Sequence, residues 1–319
     1  IFPAKRLLLQ VFTHCKRLKC LRFYLDVDYL DYLHMTRTDI SEFNKVISTN
    51  ARIIDLAMPQ IIVDGRTPGP FYALFNTLET LEFRFDSTNP FWKLTSPALC
   101  GCISEIINSQ KYLRSLKVDV KVDVKVDVKR AKNAEITSLN TNNPLNVERL
   151  RGNKLEHLEL NFRTWTDTII RSLLLWEFPN LLTIKLEGGW FIKSSKPREA
   201  FSELDSETKN EFIRWIIRMP FLTKIHLRHA LSLDVDDCIS ICNKLPTVQT
   251  ILYNDWGYPT EREIINKIFA TSLSLRKVKV VQDYPKGDQY VSYIVNRSKN
   301  LVYFRRNKSR VYTLYSSMV

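Results

Sequence analysis

Five histidines and six cysteines are the side chains here that could bind a metal or start covalent chemistry. His226 and His229 stand three apart at the end of a predicted strand, which is not a zinc set without further ligands. Cys238 and Cys242 are four apart on a predicted helix and share a face, but no nearby His or Cys pair completes a site. They read as small buried hydrophobes, reduced and metal-free. The other cysteines, Cys15, Cys20, Cys100 and Cys102, form no CxxC pair. Such cysteine usage points to a reducing compartment, cytoplasm or nucleus. No Walker loop, GxGxxG, HExxH or GxSxG is present, and eight glycines leave little material for a phosphate-cradling loop. We expect no enzyme, no metal and no cofactor.

Recognition by charge and aromatic surface is what remains. The formal charge is +13 and sits at the two ends. Residues 5–22 carry six basic residues and no acid, and residues 275–310 carry ten basic residues against Asp283 and Asp288. Such asymmetry attracts nucleic acid or an acidic protein, or merely solvates the exposed ends of the chain. No run of 18 apolar residues occurs, so no membrane span is expected.

The elements that must position these charges come from one recurring phrase. An apolar residue, two variable residues and another apolar residue are followed by apolar residues at every second place. It appears at Leu18–Leu25, Leu78–Phe85, Leu113–Val120, Leu155–Phe162, Leu181–Leu186, Leu222–Leu227, Val248–Tyr253, Leu275–Val280 and Leu301–Phe304. From Leu155 the starts are 26, 41, 26, 27 and 26 residues apart. A fixed period near 26 predicts one structural unit used repeatedly, a solenoid. Each phrase reads as a short strand with alternating faces, so Leu222, Ile225 and Leu227 face a core while Lys224, His226 and Arg228 face out. Between strands the pattern turns helical. Residues 206–219 put Phe212, Trp215, Ile216 and Met219 on one face, Ser96-Pro97 offers a helix start, and Thr260–Glu263 reads as a capping box. Prolines 179, 220 and 246 then end the helical segments before the next strand.

These LxxLxL phrases with a helix at a period of 26 to 28 resemble the leucine-rich repeats of the ribonuclease-inhibitor-like class. The irregular joints look most like the C-terminal repeats of fungal F-box proteins. The resemblance implies an α/β horseshoe solenoid with a parallel inner sheet and outer helices. It covers residues 75–307, with residues 1–74 as irregular N-terminal repeats or cap and 308–319 as a C-terminal tail or cap. One departure marks the repeats as degenerate. The family's turn-bonding Asn or Cys, nine residues into the unit, is replaced by Asp26, Asp86, Lys121, Arg163, Gly189, Ala230, Trp256 and Asp283. Each turn must find its own hydrogen bonds.

Insertions are expected at 121–150 and 188–206. The first carries most of the run KVDVKVDVKVDVK at Lys117–Lys129. Only its first residues are expected to pair in the sheet.

The predicted recognition surface is a basic stripe of Lys185, Lys224, His226, Arg228, Lys277, Lys279 and Arg305. An aromatic rim of Trp190, Trp256 and Tyr258 runs just after the strands; Trp165 and Trp256 read equally as core plugs. The expected ligand is an acidic or phosphorylated protein on the concave face, with nucleic acid as the alternative. The resemblance implies the substrate-receptor repeats of an F-box-type ubiquitin-ligase subunit. The chain opens at Ile1 without Met, and an F-box that engages the ligase scaffold is expected before it. The alternative is a nuclear scaffold that contacts nucleic acid or an acidic protein through its basic C-terminal half.

Overall fold

Alternating apolar residues make strands, and the amphipathic segments between them make helices that cover one face of those strands. The structure, a computed structural model of the chain, describes residues 3–23, 32–50, 53–58, 60–63, 69–85, 96–120, 154–192, 206–227, 235–255, 274–283, 290–296, 301–306 and 310–315. It divides into two compact units, Ile1–Phe178 with Ile192–Ala200, and Pro179–Phe191 with Phe201–Val319.

The first unit runs α1 (Pro3–His14), β1 (Cys20–Arg22), β2 (Tyr32–Met35), α2 (Arg37–Asn50), β3 (Asp55–Met58), β4 (Gln60–Val63), α3 (Gly69–Tyr72), β5 (Thr80–Phe85), α4 (Ser96–Ser109), β6 (Ser115–Val120), β7 (His157–Thr166) and α5 (Asp167–Leu174). Strands β1, β3, β5, β6 and β7 pair in that order, all parallel. A separate parallel pair joins β2 to β4. The register lines up Leu21, Leu56, Leu81, Leu116 and Leu158, and the last four are buried. Helix α2 starts on a reciprocal cap. The Thr36 hydroxyl accepts from the Asp39 N–H at 3.2 Å, and the Thr36 N–H donates to the Asp39 carboxylate at 2.7 Å. Lys5 donates to the same carboxylate at 2.7 Å and ties α1 to α2. Burial works against the Asp39 charge, but these hydrogen bonds outweigh it and lower its pKa. Behind the strands, Phe43 and Phe12, Phe43 and Phe71, and Phe71 and Phe75 pack edge to face, Phe12 and Phe75 pack tilted, and Tyr72 joins Phe71 to Phe83 of β5.

The second unit runs β8 (Thr183–Ile192), α6 (Ser206–Ile217), β9 (Lys224–Leu227), α7 (Val235–Lys244), β10 (Thr250–Asp255), β11 (Lys277–Asp283), β12 (Tyr290–Asn296), β13 (Leu301–Arg306) and β14 (Arg310–Tyr315). Strands β8 to β11 pair in sequence order and parallel. Ile184, Ile225, Ile251 and Val278 share a row, and the first three are buried. The predicted core residues Leu158, Leu160, Leu186 and Leu227 are buried too. On α6, Phe212, Trp215 and Ile216 are buried, with Met219 just beyond the helix, as the periodicity requires. On α7, Cys238 and Cys242 are buried.

The backbone shows the repeat more plainly than the side chains do. At the first variable place of the phrase, one carbonyl accepts two successive N–H groups of the next strand. The Ile54 carbonyl takes Glu79 and Thr80 (2.9 Å each), Glu79 takes Arg114 and Ser115, Arg114 takes Glu156 and His157, Leu182 takes Thr223 and Lys224, and Thr223 takes Gln249 and Thr250. A hydroxyl ladder stands beside it. The residue just before the first apolar position donates back to the carbonyl of the preceding unit's first apolar residue: Thr77 to Ile53, Thr247 to Leu222 and Ser274 to Val248.

Several expectations need correction. Residues 1–74 were read as irregular, yet Ile53-Ile-Asp-Leu-Ala-Met58 carries a full repeat strand between β1 and β5. The phrase at Leu301 is a strand but not a parallel one. β11, β12, β13 and β14 pair antiparallel in succession. Their connections, 284–289, 297–300 and 307–309, are too short for the dozen or more residues that a parallel crossover needs. The expected C-terminal tail therefore contains strand β14. Residues 188–192 belong to β8 and not to a loop. Of the VDVK run, Lys117–Val120 pair in the sheet, and 121–129 lie outside the described residues, as does the capping box at 260–263.

Candidate recognition face

The register decides which charges stand together. Residues of equal place in successive units fall directly opposite one another, so the outward side chains form rows across the strands. In the second unit one row reads Thr183, Lys224, Thr250, Lys277, and the next reads Lys185, His226, Leu252, Lys279. Strand β10 thus puts neutral Thr250 and Leu252 between the cations. Lys224 and Lys277 stand two strands apart, about 10 Å at ~4.8 Å per strand. The stripe expected as one continuous line of charge is interrupted by these neutral residues. Arg305 falls in a third row, with Val281 and Ser292, and alternation places it on the same sheet face as Lys277 and Lys279.

One carboxylate enters the stripe. Glu187 Oε2 lies 3.0 Å from Lys185 Nζ, and its Oε1 lies 3.0 Å from His226 Nε2. The imidazole contact lacks the alignment of a good hydrogen bond, and Nε2 is buried. His226 is the largest influence holding the Glu187 carboxyl down, to about 2; burial opposes it and Lys185 adds to it. Two of the seven basic residues are therefore already occupied. Lys224 is exposed and forms no ion pair among the described residues.

On the corresponding face of the first unit, charges of opposite sign meet across neighbouring strands. Lys117 lies 3.6 Å from Glu82 and 3.5 Å from Glu159 on the strands either side. Asn161 donates to the buried Asp119 at 3.1 Å. Arg22 pairs with Asp55 at 3.2 Å, so part of the basic N-terminal segment is compensated.

Of the aromatic rim, Trp190 lies within β8, while Trp256 and Tyr258 lie outside the described residues, as does Arg228. Trp165 is fully buried against Phe162, with ring centroids 4.7 Å apart, so it is core. The thiols of Cys100, Cys102 and Cys242 are raised by burial, to about 11 and about 12 for Cys100 and Cys242. A thiol so shifted is a poor ligand and nucleophile. Among the described residues, no three His, Cys, Asp or Glu side chains group in a way that could hold a metal ion. No described helix is long and apolar enough to cross a membrane.

No protein-family model matches the chain, and no curated protein matches it either. A solved structure of a protein from Bacteroides fragilis aligns over 80% of this chain at 10% sequence identity and a TM-score of 0.33. The match spans 66% of that protein's length.

Proposed function

We propose that this chain is a non-enzymatic recognition module, a degenerate leucine-rich-repeat solenoid serving as the substrate-receptor repeats of an F-box-type ubiquitin-ligase subunit. The reading rests on one observation above all. Repeat strands of equal register hold outward polar side chains in rigid rows, the arrangement by which repeat proteins grip extended partners. Its ligand is an acidic or phosphorylated protein segment, because Lys224, Lys277 and Lys279 take places in those rows, while Glu187 engages Lys185 and His226. The F-box part of the proposal comes from the resemblance of the repeats, and it places the protein in cytoplasm or nucleus.

The test has two arms. The full-length protein is mixed with purified ligase scaffold and its adaptor, and a stable complex is expected. Lys224→Glu with Lys277→Glu is then expected to weaken binding of a phosphorylated Asp/Glu-rich peptide at least tenfold without changing the thermal melt. If these reversals leave affinity untouched while Trp190→Ala or Trp256→Ala abolishes it, the rim and not the stripe is the site.

A second reading is a nuclear scaffold for nucleic acid. It is favoured by the ten basic residues against two acids in 275–310, the segment holding the antiparallel strands. A steep loss of affinity with salt would mark it.

A further inference from the structure

We propose that the polar face of the β11–β14 sheet is a landing surface for single-stranded nucleic acid. The proposal deepens the second reading and rests on it.

Strand alternation sorts this sheet into two faces. One continues the core row through Val278 and carries mostly Val, Leu, Phe and Tyr, with Gln282, Arg306 and Arg310 at one end. Register assigns Lys277, Lys279 and Arg305 to the other, together with Tyr290, Tyr303 and Tyr315. Ser292, Asn296 and Thr313 share that face as hydrogen-bonding groups, with Val281, Ile294, Leu301 and Val311 among them, and Asp283 is its one carboxylate among the described residues. Cations that follow a phosphate chain, interleaved with rings on which bases stack, are the two components of single-strand binding. The spacing suits them. Leu301 stands opposite Tyr315 and Tyr303 opposite Thr313, so Tyr303 and Tyr315 are diagonal neighbours on adjacent strands, roughly 7–8 Å apart. Arg305 is two residues along the same strand from Tyr303.

Width argues against a duplex. Four strands at ~4.8 Å span about 14 Å, more than the ~12 Å major groove, which admits a helix or a two-stranded ribbon. An acidic peptide would use the cations alone and leave the three tyrosines without a role. β14 pairs on one side only among the described strands, so the face ends at a sheet edge.

The test uses the whole chain and a fluorescent oligo-dT, read by anisotropy. Inorganic polyphosphate, duplex DNA and a phosphorylated Glu-rich peptide serve as competitors. Oligo-dT is expected to bind more tightly than polyphosphate of equal charge. Neutralising three phosphates gives a roughly twentyfold loss between about 50 and 200 mM salt. Tyr303→Leu and Tyr315→Leu are each expected to cost about tenfold with the salt slope unchanged. Lys277→Gln, Lys279→Gln and Arg305→Gln are expected to flatten the slope. Should a tyrosine variant fail to fold, the competition on the unaltered chain decides alone. Polyphosphate or duplex competing as well as oligo-dT overturns the proposal and leaves the charge-based reading standing. Preference for the phosphopeptide overturns it in favour of the protein ligand. Absence of any oligo-dT or polyphosphate binding at low salt sinks this proposal and the second reading together.

Discussion

The Thr247 hydroxyl donates to the Leu222 carbonyl at 2.8 Å, across 25 residues of chain and one unit of the repeat. Thr77 and Ser274 make the same bond at 2.8 and 3.0 Å. A hydroxyl ladder thus stands just before the strands, one bond per repeat at these three places. Thr247→Val keeps the shape and removes the donor, leaving a part-buried carbonyl short of a partner. We expect a loss of about 1 kcal/mol for it, and similar losses for Thr77→Val and Ser274→Ala, measured by urea unfolding. Losses indistinguishable from zero at all three sites would mean that the ladder accompanies the fold without supporting it.

Ile225 sits between Ile184 and Ile251 in the buried row of the second unit. Ile225→Ala is expected to cost about 2–5 kcal/mol, against about 0.5–1.5 for Ile225→Val. Denaturation midpoints of the two variants check the ratio.

Glu187 links stability to pH. Its pKa is depressed from the ordinary 4.5 to about 2, so its contribution is present above 4.5 and fades as pH falls towards 2. Glu187→Gln is expected to flatten this part of the stability profile in acid titration of the melt. It should also raise affinity for an acidic peptide several-fold, since Lys185 and His226 lose an internal competitor. A variant with unchanged acid sensitivity and unchanged affinity would refute both.

The thiols divide by burial. Cys15 and Cys20 are exposed; Cys100, Cys102, Cys238 and Cys242 are buried. Native protein is expected to yield two fast-reacting thiols with a disulfide reagent and the other four only on unfolding. Stoichiometric zinc on purified protein would overturn the reading of Cys238 and Cys242 as packing residues.

The period carried the strands at Leu78, Leu113, Leu155, Leu181, Leu222, Val248 and Leu275, because leucine at fixed places reports a core row directly. It failed at Ile53, where isoleucine and methionine fill the same places and the start lies 35 residues after Leu18 and 25 before Leu78. It misled at Leu301, where the spacing of 26 was kept but a strand replaced the helix. The alternation of Val291, Tyr293 and Val295 was the available signal, and it reads as a strand with no room for a crossover. The stripe was legible as a list of cations but not as a charge pattern. Glu187, two residues from Lys185 on the same strand, shares its face by simple alternation and was the clue to partial neutralisation.

The turn from parallel to antiparallel pairing after β11 has a consequence for modularity. Up to that strand, a unit begins and ends alike, so a copy of one helix-backed unit could be inserted, or one removed, and the flanking strands would still find matching neighbours. Beyond it, strand direction reverses at every connection. Without β12, a short connection would bring β13 back antiparallel to β11, reversing the direction in which β13 and β14 now run relative to it. Duplication before β11 therefore adds one parallel strand with its crossover at a time, whereas beyond β11 strand direction is kept only when two strands, a whole hairpin, are added together.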